Sequence, residues 1–266
     1  MTAPASPFHA LHAGPDVLVL PNAWDAASAA LMQDAGAKAV ATSSAAVAWA
    51  RGYADGDLLP LPVLLDVISG ISRGLQVPLS ADIEGGFTDD LATLAETTKA
   101  VIDAGAAGIN LEDGGRDPAL HAAKIAVIRQ TADGAGAPLF INARTDVYLQ
   151  GLAEGEAAVA ETLRRAALYR DAGADGVFVP GPVDEALIAE LAAGIALPLN
   201  IMGRAGAPTA ARLAELGVRR LSSATGPFRA AYGTLNRLMG DYLRSGDANV
   251  FVEAGQGLPD LNARFG

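Results

Sequence analysis

Ile102-Asp103-Ala104-Gly105-Ala106-Ala107-Gly108-Ile109-Asn110-Leu111-Glu112-Asp113 is the stretch on which the fold turns. A helical run stops at Gly105, an apolar run starts a few residues later, and two carboxylates close it. Glycine just past a helix end takes a left-handed conformation that other residues avoid. A short apolar run beginning right after it reads as a strand buried on both faces. The same beat returns in Gln33-Asp34-Ala35-Gly36-Ala37-Lys38-Ala39-Val40 and in Arg170-Asp171-Ala172-Gly173-Ala174-Asp175-Gly176-Val177. It appears more loosely in Glu215-Leu216-Gly217-Val218.

Extended along the chain, the beat predicts strands over 17–20, 38–42, 79–83, 108–112, 139–143, 176–179, 199–201 and 218–222. Helices are expected between and after them, over 24–35, 61–75, 89–104, 119–132, 155–172, 184–193, 208–216 and 227–244. Pro78, Pro138 and Pro198 each sit at a strand entry, where a missing N–H is tolerated. Repeated βα units of this number point to an α/β protein of the (β/α)8 TIM-type barrel class. The alternative is a doubly wound open sheet. No Pro/Ser-rich linker divides the chain, so residues 1–266 read as a single barrel domain, with 1–16 an N-terminal arm and 246–266 a C-terminal tail.

The 266 residues are 51% hydrophobic and only 18% charged, which suits one large buried core. A net charge of -11 argues against a nucleic-acid or anionic-membrane surface. Anionic substrates remain compatible, because one Arg and a metal reverse the field locally. With no cysteine, disulfides, zinc thiolates and a thiolate nucleophile are excluded. The opening residues lack the basic-then-apolar pattern of a signal peptide, and no apolar run reaches bilayer-spanning length, so a cytoplasmic location is expected.

Active sites of such barrels sit at the carboxyl ends of the strands. That rule selects Asn22, Trp24 and Asp25; Ser43 and Ser44; Asp82 and Glu84; Glu112 and Asp113; Asn142, Arg144 and Asp146; Pro180; Asn200; and Ser222 and Ser223. Asp55 and Asp57 lie in a Gly-rich loop after an earlier strand. Carboxylates converging on one mouth repel unless a cation sits among them, and oxygen ligands favour Mg²⁺, with Mn²⁺ as the alternative. Asp82 and Glu84 alternate on one strand and therefore share a face.

Four motifs carry a family resemblance. Asp82-Ile83-Glu84-Gly85-Gly86-Phe87 resembles the D-x-D-T-G-[FY]-G metal motif of the isocitrate lyase/phosphoenolpyruvate mutase superfamily. Leu111-Glu112-Asp113 resembles its [LI]-E-D motif, Ala143-Arg144-Thr145-Asp146 its A-R-T-[DE] motif, and Ser43-Ser44 with Gly52-Tyr53-Ala54-Asp55 its S-G…G-x-x-D stretch. The motifs run in the family's order from about Leu18 to Phe228. The resemblance implies Mg²⁺ bound directly by Asp82, with Asp55, Glu84 and Glu112 holding its waters. It also implies Ser43 and Ser44 at the oxo-acid end of the substrate, and Arg144 on its carboxylate or phosphoryl group. Last helices packing between subunits, in a homodimer or homotetramer, are implied too.

The chain departs from the family in two ways. The K-[KR]-C-G-H loop of the lyases is absent, and only Gly114-Gly115-Arg116-Asp117-Pro118 follows the E-D motif. Glu84 stands for the usual second Asp and Gly85 for the usual Thr.

Each candidate also has a plainer reading. Ser43 and Ser44 suit helix N-caps. Asp55 suits a surface turn, Asp57 the start of the next helical region, Arg144 a structural ion pair, and Asp113 a cap or structural partner. Trp24 serves equally as pocket wall or core, and Tyr53 is a candidate proton donor. His9, His12 and His121 read as structural.

The expected activity is a Mg²⁺-dependent carbon–carbon lyase of decarboxylase or retro-aldol type, acting on a small 2-oxo- or 2-hydroxy-dicarboxylate through a metal-stabilised enolate. The alternatives are a mutase or hydrolase of a phosphorus–carbon bond, and a non-catalytic barrel that binds an oxo acid.

Overall fold

The computed structural model describes residues 6–266, so the first five residues of the N-terminal arm lie outside the described part. Among the described residues, nine parallel strands form one sheet in the order β1-β9-β8-β7-β6-β5-β4-β3-β2. β1 (Leu18–Leu20) and β2 (Asn22–Ala23) are two halves of one first strand. They part at Pro21, which has no N–H to give to a ladder. β1 pairs with β9 (Arg220–Ser222) and β2 with β3 (Val40–Thr42). The Pro21 carbonyl still accepts from Ala41 N–H at 2.9 Å. Chain continuity through Pro21 therefore brings the sheet round on itself as a (β/α)8 barrel. The remaining staves are β4 (Leu79–Asp82), β5 (Gly108–Glu112), β6 (Phe140–Arg144), β7 (Gly176–Val179) and β8 (Leu199–Met202).

The helix-stop glycines behave as their sequence context requires. Gly36, Gly105, Gly173 and Gly217 have φ of 99°, 103°, 107° and 91°, each just before a strand. Around the sheet lie α2 (Ala26–Asp34), α4 (Leu61–Gly74), α5 (Leu91–Asp103), α6 (Pro118–Gly134), α7 (Gly155–Asp171), α8 (Glu185–Gly194), α9 (Ala210–Glu215) and α10 (Gly226–Ser245). Ile68, Ile71, Leu94, Ile125 and Ile128 from these helices pack with Ile109 and Ile141 of the strands and with Ile83 just past β4. Full burial of each such side chain contributes about 1.5–3 kcal/mol.

Several elements differ from the sequence expectation. β4 ends at Asp82, and Glu84 lies past it in a turn with φ 50°, so these two carboxylates do not alternate on one strand as expected. α3 (Ser44–Ala50) is an extra helix, where Ala45-Ala46-Val47-Ala48 carries no polar face to betray it. α2 begins at Ala26 because Asp25 caps it, accepting from Ser28 N–H at 2.7 Å, so Trp24 is left outside the helix. Asp57 does not open a helix: it sits in a loop with φ 59°, and α4 starts only at Leu61.

The arm contains a short helix, α1 (Pro7–Ala10), whose Phe8 is fully buried against Phe140, ring centroids 5.4 Å apart. His12 stacks on the same ring at 4.0 Å and donates from Nδ1 to Phe8 O at 2.8 Å. The amino-terminal end of the barrel is thus sealed by α1. At the other terminus follow α11 (Val250–Ala254) and α12 (Leu261–Phe265). Arg264 of α12 bonds Asp34 at 3.1 Å and Gly74 O at 3.2 Å, the last turns of α2 and α4. Those helix ends lie on the side of the barrel away from the strand carboxyl ends, so this tail does not cover the mouth. Among the described residues no helix is long and apolar enough to cross a membrane.

Candidate active site

At the carboxyl ends of the strands, a cavity of about 210 Å³ is lined by Ser43, Ser44, Asp55, Asp82, Asn110 and Arg144, with Asn22, Phe178, Pro180, Met202 and Ser222 among the others. A larger groove, about 480 Å³, runs outside the barrel between β1 and α2, past Val17, Val19 and Met32. It lacks the convergent polar groups that orient a substrate.

Asp82 ends β4 and is 8% exposed. Its backbone N–H donates to Thr42 Oγ1 at 2.8 Å, and its Oδ1 accepts from Glu84 N–H at 3.1 Å. Burial pushes the Asp82 carboxyl above its ordinary pKa, against the pull of Arg144, and Asp55 adds to the push. Glu84 is raised to about 7, chiefly by burial. Its Oε2 accepts from Gly56 N–H at 2.9 Å and from Asp57 N–H. Glu112, at the end of β5, is raised to about 8 by burial, against the nearby Arg144.

Arg144 closes β6. Its Nη1 lies 2.5 Å from Glu112 Oε2, while Nε and Nη2 donate to the two oxygens of Asp146 at 2.6 and 2.9 Å. Burial works against its charge, but Glu112 and Asp146 outweigh burial and hold the guanidinium protonated. Asp146 is positioned in turn by Asp113, which is fully buried. Asp113 accepts from Asp146 N–H at 2.9 Å, Arg165 Nη1 at 2.8 Å and Tyr169 Oη at 2.7 Å. Asp113 is a structural partner, two shells behind the cavity.

The donor set fits a hard cation. Three carboxyl groups, Asp82, Glu84 and Glu112, are pushed up by burial and by one another, while the nearby Arg144 is already shared between Glu112 and Asp146. A divalent ion relieves that repulsion. Among the described residues no three acidic or imidazole groups are gathered into a ready cage.

Of the other sequence candidates, Ser43, Ser44 and Asp55 join Asp82 and Arg144 on the cavity wall, whereas Glu84 and Glu112 are not among its lining residues. Ser43 caps α3, with Ala46 N–H 3.4 Å from its Oγ, and still lines the cavity, so both readings of it hold geometrically. Trp24 packs edge-on against Phe228 and Tyr232 of α10, centroids 5.3 and 6.2 Å away, and is not among the cavity residues. Tyr53 is 39% exposed on the outer loop and also stands apart from the lining. Asn200 is completely buried inside the barrel, both side-chain polar atoms unpartnered. Asn22 fastens the split first strand: its Oδ1 accepts from Ser223 N–H at 2.8 Å and Ala224 N–H at 3.0 Å.

Sequence reasoning missed Arg220. It is 1% exposed inside the barrel, donates from Nη2 to Asn110 Oδ1 at 3.2 Å, and is lowered to about 9 by burial. Arg219 and Arg220 are adjacent within the expected strand, and only the structure shows which of the two turns inward. Asn110 was missed as well. Its Oδ1 is taken by Arg220 and by Asn142 Nδ2 at 2.8 Å, and its side chain bonds toward Asp82.

The family profile described as phosphoenolpyruvate phosphomutase matches residues 8–243. A candidate phosphonomutase of Burkholderia cenocepacia J2315, known from its crystal structure, is 44% identical, with a TM-score of 0.84 over 88% of this chain and 97% of that one. An uncharacterized protein of Mycobacterium tuberculosis (strain ATCC 25618 / H37Rv) is 38% identical over 84% of this chain and 83% of its own length. The 2-methylisocitrate lyase of Bacillus subtilis (strain 168) is 27% identical over 98% of this chain and 86% of its own. An oxaloacetate decarboxylase of Pseudomonas fluorescens (strain SBW25) is 28% identical over 84% and 79%.

Proposed function

Because this chain belongs to the phosphoenolpyruvate phosphomutase family, we propose that it is a metal-dependent lyase. It breaks a carbon–carbon bond at C3 of a small 2-oxo- or 2-hydroxy-dicarboxylate, with decarboxylation of an oxaloacetate-type acid as the leading case. The reading is carried by one observation: Asp82 and Arg144 face a single 210 Å³ cavity whose lining contains neither thiol nor imidazole.

Asp82 would hold the cation, Mg²⁺ or alternatively Mn²⁺, and Asp55, Glu84 and Glu112 would hold its waters. A bound divalent ion supplies Lewis-acid polarisation of the 2-oxo group. Arg144, kept charged and oriented by Asp146, binds the substrate carboxylate; a planar guanidinium suits that partner. Ser43 and Ser44 meet the oxo-acid end. With no strong base at the lining, a reaction that needs none to begin is favoured. Loss of CO₂ leaves the electron pair of the broken bond in the oxo-acid fragment, and water entering the open mouth returns a proton at C3.

The test is an Mg²⁺-dependent pyruvate- and glyoxylate-release assay over oxaloacetate, methylisocitrate, dimethylmalate, isocitrate and phosphonopyruvate, with phosphate detected in parallel. Release from a phosphorus-free acid that stops with EDTA is expected, together with its loss in Asp82→Ala. Undiminished turnover by Asp82→Ala would refute the site. Phosphate release would instead support phosphorus–carbon chemistry, the reading favoured by the 44% identity to a candidate phosphonomutase. The short 114–117 loop speaks against it, since a metaphosphate-like species needs shielding from water.

α10 exposes Tyr232, Leu235, Met239 and Leu243, and Val19 on the outer face of β1 is 55% exposed. These uncovered apolar faces support a homodimer or homotetramer in which α10 packs between subunits. A monomeric species by sedimentation velocity at micromolar concentration would overturn that arrangement.

A further inference from the structure

Three loops at the barrel mouth are tied together by a charge network that neither the motifs nor the proposed reaction accounts for. Arg116, in the short loop between β5 and α6, places Nη2 2.5 Å from Asp57 Oδ2. Asp57 belongs to the loop between α3 and α4, and its Oδ1 accepts from Gly85 N–H at 3.1 Å in the loop after β4. Glu84, beside Gly85, accepts from the N–H groups of Gly56 and Asp57. On the far side, buried Lys124 of α6 donates to Gly85 O at 2.8 Å and to Asp89 at 2.6 Å, while Arg116 Nε lies 3.8 Å from Asp89. Segments far apart in sequence thus share one knot, two residues from Asp55.

Gly85 is what lets the knot close. A Cβ added there would lie 2.3 Å from Arg116 Nη1 and 2.6 Å from its Cζ. Its φ lies outside the left-handed range, so the backbone itself would accept alanine. The constraint at this position is therefore space for a guanidinium rather than backbone freedom.

We propose that Arg116, seated over Gly85 and paired with Asp57, is a positioning residue: a fixed latch that holds the Asp55–Asp57 loop against the mouth. Two features set it apart from an ordinary surface ion pair. Asp57 and Glu84 both hold left-handed φ, 59° and 50°, which non-glycine residues avoid unless their surroundings enforce it. In addition, both oxygens of Asp57 are engaged, each by a different loop. The latch fixes where Asp55 stands, so its consequence for chemistry rests on the metal-site reading above, while its existence does not.

The experiment uses the full chain without metal and reads hydrogen exchange of the Gly56 and Asp57 amides, followed by Mn²⁺ binding detected by electron paramagnetic resonance. In Arg116→Ala these amides are expected to exchange about fivefold faster, the scale of a part-exposed ion pair. Arg116→Lys, which keeps the charge, should recover most of the protection. Gly85→Ala should reproduce the Arg116→Ala rates by expelling the guanidinium, and should add nothing further in an Arg116→Ala background. Unchanged exchange in Arg116→Ala would overturn the proposal, as would a Gly85→Ala effect that persists undiminished in that background. Mn²⁺ bound several-fold more weakly by Arg116→Ala than by wild type would tie the latch to Asp55, and equal Mn²⁺ binding would refute that tie. A wild-type protein that binds no Mn²⁺ would overturn the metal site while the exchange result still decides the latch.

Discussion

Replacing Asp113 with alanine should damage the protein more than any cavity residue, although Asp113 does not line the cavity. The carboxylate is fully buried and accepts three hydrogen bonds, from Asp146 N–H, Arg165 and Tyr169. Its removal leaves the Arg165 guanidinium, 7% exposed, without one of its two acidic partners. Breaking a buried pair on one side costs about 3–5 kcal/mol. Glu161 stays 2.6 Å from Arg165 Nε, which argues for the lower end, ~3 kcal/mol. That should lower Tm by roughly 6–12 °C in a domain of this size.

The pH course follows from the direction of the shift. Burial works to raise the Asp113 pKa, but Tyr169, the Asp146 amide and Arg165 outweigh it and hold the carboxyl below its ordinary value. A depressed folded pKa means the contribution is complete above the unfolded value, near 3.8, and is lost as pH falls through the folded one. Wild type and Asp113→Ala should therefore differ by a constant amount from pH 5 to 8 in urea unfolding. The gap should narrow only below about pH 4. Asp113→Ala with Arg165→Ala should cost less than the sum of the singles, because the stranded charge is gone. A loss under about 1 kcal/mol, or strict additivity in the double variant, would refute the reasoning.

Two further outcomes test other parts of the molecule. His121 is 2% exposed and burial lowers its pKa to about 4, so the folded state resists a proton that the unfolded chain takes up near 6.5; stability should fall between pH 6.5 and 4 by up to ~3 kcal/mol, and His121→Phe should flatten that slope in thermal melts. Arg144→Lys keeps the charge but loses the paired bonds to Asp146, so kcat/KM should drop about 30- to 100-fold with Tm little changed, and a loss under threefold would remove Arg144 from substrate binding.

The strands and most helices were legible because the glycine stops before β3, β5, β7 and β9 are written into the sequence and their φ values demand glycine. The strand-end positions of Asp82, Glu112 and Arg144 were legible from the strand pattern, although only Asp82 and Arg144 reach the cavity wall. α3 was not, since a run of small apolar residues carries no period. Arg220 was hidden by the choice between two faces of a strand, which neighbouring Arg219 left undecided. The Arg116–Asp57 pair was invisible because its partners are 59 residues apart and neither belongs to a motif. Trp24 and Tyr53 were reasonable by proximity in sequence, yet a cap at Asp25 and an outward loop turn them from the cavity.

The seal formed by Phe8 has a consequence for the order in which the barrel is made. Phe8 is made well before Phe140, the ring that seats it. Asn22 waits longer still, for Ser223, 201 residues downstream. The first strand therefore gains its β3 partner early but its β9 partner only after the other staves exist, so ring closure is a late, long-range event.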